Sequence, residues 1–229
     1  AIKSYGSFAL LNIKDNRLFY LLPHAMFLLK APSDSTNILN AKEKEWFKVP
    51  GNMAFNIGSV DKDIWMRFSV DNTSDTARNI ALVLGSHRLY EVLLFEKDSG
   101  ILKEKGIAGL KYPFSKRAYP FFVTTFPLHI AAQSASCYYI KMDRNGISPL
   151  CIPMLMDMKE LTYQEQRTYL SYGILIGIIF LSGIFNLFLF FILKEKIHLF
   201  YFLYSICAVW VMFSINRIDF QFLFPNRPS

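Results

Sequence analysis

The last third of the chain contains two long apolar segments separated by a short charged interruption. Residues 170–193 read LSYGILIGIIFLSGIFNLFLFFIL and hold no charged side chain. A helix of this length spans about 36 Å, which is enough to cross the hydrocarbon core of a bilayer with some tilt. A second apolar run, residues 199–215, follows Lys194-Glu195-Lys196. The pattern therefore predicts two transmembrane helices, at about 170–193 and 199–215, joined by a very short loop.

The segment before these helices has a different pattern, with short runs of β-branched and aromatic residues separated by turn residues. Such runs are typical of strands, and several of them with a single core and no strong helical period predict a β-sandwich. A short helix is expected only within residues 36–47, and residues 18–29 are expected to hold a buried strand pair. The other predicted strands are residues 8–13, 65–70, 79–84, 91–96, 119–126, 137–142 and 151–156.

These patterns divide the chain into four parts. Residues 1–156 form the predicted sandwich, 157–168 a connector, 169–217 the two helices, and 218–229 the start of a loop on the outer side. The connector is charged and contains no Gly or Pro, which allows it to extend the first helix outward. An exported domain needs a signal peptide and none is present, so we expect that the start at Ala1 is processed or trimmed.

The short loop between the helices predicts the orientation in the membrane. Lys194 and Lys196 lie in a loop of only a few residues, and short basic loops stay in the cytoplasm. Residues 1–168 are then expected in the periplasm or outside the cell.

The first helix carries more small and polar residues than a lone hairpin requires. Gly173 and Gly177 form a small-xxx-small pair on one face. Ser182, Gly183 and Asn186 lie about 140–240° around the helix from Gly177. Asn186 is polar in a hydrocarbon environment and needs a partner, which is usually on another helix. Because the second helix can cover only one of these faces, we expect further transmembrane helices of the same protein.

The best-patterned strand presents a candidate ligand face. In residues 65–70 the side chains of Met66, Phe68 and Val70 share one face, which is the expected core, so Trp65 and Arg67 lie on the other. A Trp beside an Arg can stack on and hydrogen-bond a sugar or another planar ligand. The alternative is that a loop covers both residues and a carboxylate pairs with Arg67.

A second strand repeats this arrangement. Tyr139 and Lys141 lie together on one face of the strand at 137–142. The same two interpretations, a ligand face or a covered face, stay open for this pair.

The three cysteines do not form a disulfide framework. Cys207 lies within the second apolar run. Cys137 and Cys151 flank an Asp-Arg-Asn-Gly turn sequence, and a hairpin across that turn would place their sulfurs three positions out of register. All three thiols are therefore predicted to be free.

The remaining composition gives no catalytic or metal-binding constellation. The histidines have no metal-ligand spacing, there is no glycine-rich phosphate loop, and Asp61 with Asp63 lacks the other residues of a calcium loop. The formal net charge of +7 comes from scattered residues without a basic run, so no nucleic-acid partner is expected. No catalytic residue, metal or cofactor is predicted, and a glycosidase with two distant carboxylates is the one enzymatic alternative left open.

Several short motifs occur in the order found in one known family. The family's Asn-Leu-Gly, Tyr-Trp-Leu-Arg-Phe and Asp-Glu-Val-x-Leu-Tyr blocks are followed by Pro-Phe-Ser-x-Arg and Phe-Pro-Leu. Tyr-Asn-Leu-Phe-Leu-Phe then occurs in the first helix, and a segment that ends in Trp-Pro follows the second. The corresponding residues here are Asn56-Ile57-Gly58, Ile64-Trp65-Met66-Arg67-Phe68, Tyr90-Glu91-Val92-Leu93-Leu94-Phe95, Pro113-Phe114-Ser115-Lys116-Arg117, Phe126-Pro127-Leu128, Phe185-Asn186-Leu187-Phe188-Leu189-Phe190 and Phe220-Gln221-Phe222-Leu223-Phe224-Pro225.

The chain thus resembles the bacterial seven-transmembrane receptors with diverse intracellular signalling modules, through their exported domain of the second type. The resemblance implies a jelly-roll-like sandwich that binds carbohydrate or related small molecules, five further helices, and a cytoplasmic output module such as a kinase or cyclase. It also implies the bacterial inner membrane as location and adds Arg117 to the candidate ligand residues. Where the family often has a polar His-Arg-Asn cluster, this chain has residues 119–125, YPFFVTT, so the pocket is expected to be more apolar.

Two classes of function follow from these observations. The first is a ligand-sensing input portion of a membrane receptor, with a small-molecule ligand, the lipid bilayer and further helices as partners and a homodimer left open. The second is a membrane-anchored carbohydrate-binding or adhesion module without a signalling role. The stiff connector favours the sensor, because a tether is more often rich in Gly, Ser and Pro.

Overall fold

The computed structural model describes residues 10–12, 19–21, 27–31, 38, 46–48, 55–56, 63–86, 88–143 and 150–226. It divides the chain into two compact units, Ala1–Glu160 with Asn226–Ser229, and Leu161–Pro225. The first unit contains the strands, and the second contains most of the helical part.

The first unit is built from strands of two to ten residues. They are β1 (Leu10–Asn12), β2 (Phe19–Leu21), β3 (Phe27–Ala31), β4 (Phe47–Lys48), β5 (Phe55–Asn56), β6 (Asp63–Asn72), β7 (Arg78–Val83), β8 (Glu91–Asp98), β9 (Ile101–Ala108), β10 (Thr125–Ile130), β11 (Ser134–Asp143), β12 (Leu150–Cys151) and β13 (Met154–Asp157). A short 3-10 turn at Phe114–Lys116 lies between β9 and β10.

The strands form two principal sheets that enclose one core. The seven-stranded sheet has the order β4-β3-β6-β11-β8-β9, with β1 pairing parallel to β6, and the four-stranded sheet has the order β10-β7-β13-β2. Strands β12 and β5 form a separate small pair. The main core contains Met66, Phe68 and Ile140 from the larger sheet and Leu82 and Leu155 from the smaller. This is the predicted β-sandwich.

One predicted strand, residues 119–126, is wrong. Residues 117–123 form bends and turns, and the strand β10 begins only at Thr125. Pro120 lies within this stretch, and a proline offers no N–H to a strand ladder. β10 itself contains the exposed Pro127, which is tolerated because β10 is the edge strand of its sheet.

The predicted hairpin between residues 137–142 and 151–156 is also wrong. β11 pairs with β6 and β8 in the larger sheet, whereas β13 pairs with β7 and β2 in the smaller one, so the chain crosses from one sheet to the other. Residues 144–149, which include the Asn145-Gly146 turn signal of the sequence, lie outside the described residues. The three cysteines are free, as predicted.

Two further predictions near the N-terminus are resolved only in part. Residues 18–29 do contain strands, β2 and most of β3, but these belong to different sheets and do not pair with each other. Of the short helix expected within residues 36–47, most positions lie outside the described residues; Ile38 is in a 3-10 turn and Phe47 begins β4.

The second unit consists mainly of a helical hairpin. The helices are α1 (Met158–Leu193), α2 (Lys196–Ile215) and the short α3 (Ile218–Phe222). α1 and α2 are long and apolar enough to cross a membrane. Their large side chains are exposed, for example Phe180 at 65% and Leu181 at 69%, which is unfavourable in water and favourable in lipid. The sandwich followed by a helical hairpin confirms the predicted fold class.

Candidate functional site

The four residues predicted on β6 and β11 come together on the outer face of the seven-stranded sheet. Met66 and Phe68 point into the core, so Trp65 and Arg67 lie on the opposite face, as the period-two pattern predicts. In the antiparallel ladder Tyr139 is opposite Arg67 and Lys141 is opposite Trp65. Directly opposite residues are close enough for their side chains to interact.

Three of these side chains, with Trp46, form a covered cluster, here called the outer cluster. Trp65, Arg67 and Tyr139 are 0%, 6% and 4% exposed. The Arg67 guanidinium lies 4.3 Å from the Trp46 ring centre, in the geometry of a cation–π contact, and the Trp46 ring meets Tyr139 edge-on at 6.1 Å. Trp65 and Arg67 are therefore covered, as the first part of the covered-face alternative supposes, and a role of these residues in ligand binding stays a prediction.

Neighbouring apolar residues complete this second, smaller core. Trp65 stacks on Phe95 from β8 with a centroid distance of 5.8 Å and an interplanar angle of 29°. Ile38 and Trp46 come from the segment before β6 and lie over the sheet, so the cluster joins that segment to β6, β8 and β11. A direct contact of a ligand with the Trp65 ring would require this cover to move.

Lys141 lies beside the outer cluster and is held by an ion pair. Its Nζ is 3.1 Å from Asp63 Oδ2, and both side chains are mostly buried. The same ammonium group lies 5.9 Å from the Trp65 ring centre. Its described contacts are therefore those of a structural residue, and a role in ligand binding stays a prediction.

The hydroxyl of Tyr139 stays protonated at physiological pH. The pKa of Tyr139 is raised to about 12, mainly by burial; the neighbouring Cys137 acts in the same direction and Arg67 in the opposite one. A neutral phenol can both donate and accept a hydrogen bond.

Arg117 occupies a different part of the domain, the loop between β9 and β10. Its Nη1 donates to the carbonyl oxygens of Phe121 at 3.0 Å and Phe122 at 3.2 Å, and its guanidinium lies 4.8 Å from the Phe114 ring centre. Burial lowers the pKa of Arg117 to about 10, which still leaves it charged at neutral pH. The structure places Arg117 where it holds the turns of its own loop rather than beside Trp65.

A polar cleft adjoins the outer cluster at Tyr139, where β8 and β11 separate. β11 pairs with β6 from Ser134 onward but pairs with β8 only from Tyr138 onward. The β8–β9 ladder has a bulge between Leu94 and Phe95, and bulges increase twist and redirect strands. The resulting β8–β11 cleft has a volume of about 550 Å³ and is lined by Ser69, Glu96, Lys97, Asp98, Ser99, Gly100, Ala135, Ser136, Cys137 and Tyr139.

The sequence alone does not predict this cleft, although the turn residues along one side of it are recognisable. Residues 97–100 read Lys-Asp-Ser-Gly, which is a turn sequence; Lys97 and Asp98 end β8, and Ser99-Gly100 connect it to β9. Ser99 and Gly100 have positive φ angles of 50° and 88°, as a tight hairpin turn requires. No local signal indicates that this hairpin diverges from β11, because the partner residues lie some 35 positions away.

The predicted packing residues of the first helix divide between two environments. A Cβ added at Gly183 would lie 3.4 Å from the Ser205 side chain, whereas at Gly173 or Gly177 it would meet nothing within 4 Å. Asn186 Nδ2 donates to Ser182 O at 2.9 Å, and its Oδ1 lies 3.4 Å from His198 Nδ1 on α2. Within this hairpin the close approach is therefore at Gly183, and the Gly173 and Gly177 face is open.

The outer ends of the helices are joined by two tyrosines. The Tyr169 hydroxyl donates to Gln221 Oε1 at 2.8 Å, and the Tyr172 hydroxyl donates to Asn216 Oδ1 at 3.0 Å. These bonds attach the beginning of the apolar part of α1 to the segment that follows α2. No group of three or more His, Cys, Asp or Glu side chains is placed to hold a metal ion in the part of the chain that the structure describes.

A β-sandwich followed by two helices that are long and apolar enough to cross a membrane fits a membrane protein. The family model described as 7TMR-DISM extracellular 2 matches residues 24–155, and the model described as 7TM diverse intracellular signalling matches residues 168–229. The chain belongs to this receptor family, which confirms the resemblance. It is an input region of a membrane sensory receptor, and neither model describes an enzyme.

The other comparisons add little. A search of the curated proteins gives no match. A solved structure described as GH31 CBM32-2 bound to GalNAc has a TM-score of 0.21 and 10% sequence identity, over 43% of this chain and 64% of that one. The chain thus spans less than two thirds of that structure, and a TM-score this low supports no argument about the ligand.

Proposed function

We propose that this chain senses a small polar molecule, such as a carbohydrate, on the outer side of the bacterial inner membrane and passes a conformational signal through α1. The sandwich is the periplasmic or extracellular part, and the loop at Lys194–Lys196 is cytoplasmic. The output module is a further part of the receptor, reached through additional transmembrane helices that cover the open face of α1.

The observation that carries this proposal is the direct continuation of the smaller sheet into α1. Asp157 is the last residue of β13 and is still paired with Ile80 of β7, and Met158 is the first residue of the helix. The Asp157 Oδ1 accepts a hydrogen bond from the backbone N–H of Lys159 at 2.8 Å, as a helix N-cap does. No linker residue separates the sheet from a helix that continues to Leu193.

A junction of this kind suits signalling better than anchoring. A ligand changes a conformational equilibrium only when it binds two states unequally, and the difference must reach the helices to matter. A strand that runs into a continuous helix transmits a rotation or a displacement, whereas a flexible tether would absorb it. This favours a receptor over the alternative, a membrane-anchored binding or adhesion module.

The test is to insert Gly-Gly after Gln164 in the full-length receptor, within the outer part of α1. Two glycines weaken the helix by about 2 kcal/mol and make the joint flexible without altering the sheets. We expect sugar binding to be unchanged within about twofold and the sugar-dependent output of the receptor to be lost.

The matched control is an insertion of seven helix-forming residues at the same position. Seven residues keep the helix and rotate it by only about 20° relative to the original phase. This variant is expected to keep a sugar-dependent output. Full signalling by the Gly-Gly variant would contradict rigid coupling through α1, and an output that never depends on the sandwich would favour the anchored-module alternative.

A further inference from the structure

We propose that the β8–β11 cleft is the binding site for a neutral, hydroxyl-rich molecule of the size of one or two sugar units. This inference rests on the proposed sensory function, since it names the site and the ligand class of that function. Open strand edges, side-chain hydroxyls and a balance of charge in the cleft all support this assignment.

The cleft exposes backbone groups that a complete sheet would have paired. Residues 134–137 of β11 are paired with β6 on one side, and among the described residues no strand pairs with their other side. Lys97 and Asp98 of β8 likewise lie beyond the end of the β8–β11 ladder. Unpaired N–H and C=O groups at an edge need hydrogen-bond partners, which water or a polar ligand supplies.

Side-chain hydroxyls add to these groups on the wall and floor of the cleft. Ser69, Ser99, Ser136 and Tyr139 all line it. Ser69 is only 4% exposed, and it lines the cleft together with the more accessible Ser99 and Ser136. A hydroxyl both donates and accepts hydrogen bonds, so these side chains can pair with the hydroxyls of a ligand in the cleft.

The charged groups that line the cleft are largely neutralised by neighbouring lysines. Glu96 pairs with Lys105 at 2.6 Å, and Asp98 pairs with Lys103 at 2.6 Å. The hydrogen bond from Lys103 holds the pKa of Asp98 below its usual value. Both the Asp98 carboxylate and the Lys103 ammonium group are therefore charged at neutral pH. The lining therefore offers hydrogen-bond donors and acceptors without a strong excess of either charge, which favours a neutral ligand over an ion.

The size and the small lining residues fit the same ligand class. A volume of about 550 Å³ lies within the range of small-molecule sites, roughly 300–1,000 Å³. Gly100, Ala135 and Cys137 provide small apolar surfaces between the hydroxyls. Sugars present hydroxyls at their rims and C–H groups on their faces, so they match alternating polar and small apolar surface.

The test measures binding to the full chain in lipid nanodiscs by isothermal titration calorimetry. The neutral probes are glucose, galactose, N-acetylglucosamine and maltose; the charged probes are glucuronate and glucosamine. At least one neutral probe is expected to bind, and each charged probe is expected to bind about tenfold more weakly or not at all.

Variants then locate the site. Ala135→Trp fills the cleft from an exposed position and is expected to abolish binding of the neutral probe, whereas Ala131→Trp, at an exposed position in the preceding turn, leaves it unchanged within about twofold. Ser69→Ala removes one hydroxyl and is expected to weaken binding about five- to tenfold, the value of one hydrogen bond. Circular dichroism melts of the three variants verify that each is folded.

Several results would overturn this proposal. Binding by none of the neutral probes would exclude the ligand class, and undiminished binding by folded Ala135→Trp would exclude the site. Glucuronate binding that is lost in Lys97→Ser would make the cleft an anion site instead. Because binding in nanodiscs is measured without any output, its failure is separate from a failure of the signalling test on α1.

Discussion

At the scale of single residues, the Trp65 indole ring is among the best-packed groups of the domain. It is fully buried, stacks on Phe95 and lies beneath the segment that carries Trp46. A ring enclosed on both sides contributes mainly to stability, through buried apolar area and aromatic contacts.

Trp65→Ala is therefore expected to destabilise the domain rather than only to weaken ligand binding. Replacing a buried Trp by Ala typically costs about 3–5 kcal/mol in the free energy of unfolding. Urea denaturation of the full chain in detergent, followed by circular dichroism, measures the change. Ile101→Ala, at a side chain that is 65% exposed, is the control and should change stability by less than about 0.5 kcal/mol. A Trp65→Ala domain as stable as the parent would show that the ring is not part of a core.

A second residue-scale prediction concerns Gly109, the glycine that directly follows β9. Gly109 has φ +121°, and a Cβ at this position would overlap the carbonyl group of Tyr90. Gly100 also has a positive φ, +88°, but a Cβ there would meet nothing within 4 Å. In both variants the alanine must adopt a positive φ, which costs about 1–2 kcal/mol in conformational free energy. Only Gly109→Ala adds a clash between the new Cβ and the backbone of Tyr90.

We expect Gly109→Ala to lower the melting temperature of the full chain clearly more than Gly100→Ala does. The comparison is informative because backbone strain is present in both variants and only the steric overlap differs. Equal melting temperatures for the two variants would show that the β9 end can move away from Tyr90 at little cost.

The residue-level pattern predicted which side chains share a face, but not what covers that face. Alternation along β6 placed Trp65 and Arg67 opposite Met66 correctly, because the side-chain period of a strand is strictly two. The cover comes from Ile38 and Trp46, and their position over β6 depends on tertiary packing that no local pattern carries. Arg117 was expected at the ligand by resemblance alone, and its place in the β9–β10 loop depends on carbonyl groups of that loop.

At the scale of elements, predictions held where hydrophobic runs were uninterrupted. β6, β7, β8 and β11 lie at the predicted positions because their core-facing residues alternate regularly. β9 was not predicted because its middle, Lys103 to Lys105, is charged and exposed, as is usual for an edge strand. The Asn-Gly turn signal could not predict the sheet to which β13 belongs, because the packing of the whole core determines which strands pair.

The helical hairpin gives an element-scale prediction about its close contact. Gly183 is the position where α1 approaches α2, so Gly183→Leu inserts a side chain against Ser205 and Phe202. We expect this change to push the two helices apart, as measured by the distance between spin labels at residues 180 and 206. Gly173→Leu, at an open position, should leave the label distance unchanged in this chain.

The same control variant becomes a test in the complete receptor. If further helices pack on the Gly173 and Gly177 face, Gly173→Leu should impair the full-length protein although it does not affect the hairpin. Normal assembly and output of full-length Gly173→Leu would contradict a helix interface at this face, which would then face lipid.

At the scale of the whole molecule, the proposed sensing of an external ligand depends on which side of the membrane the sandwich occupies. The family models identify a receptor input region, and its two long helices are apolar enough to cross a membrane. The assignment of the sandwich to the outer side comes from Lys194 and Lys196 in the short loop between the helices. A sensor of external molecules requires this orientation, and the structure of the cleft does not determine it.

The most direct test of the account is therefore a pair of reporter fusions at Glu195, between α1 and α2. Alkaline phosphatase is active only after export, and green fluorescent protein folded in the cytoplasm reports the opposite side. We predict that the fluorescent fusion is bright and the phosphatase fusion inactive, with equal amounts of each protein in the membrane. An active phosphatase at Glu195 would place the sandwich in the cytoplasm and would contradict the proposal that it senses an external ligand.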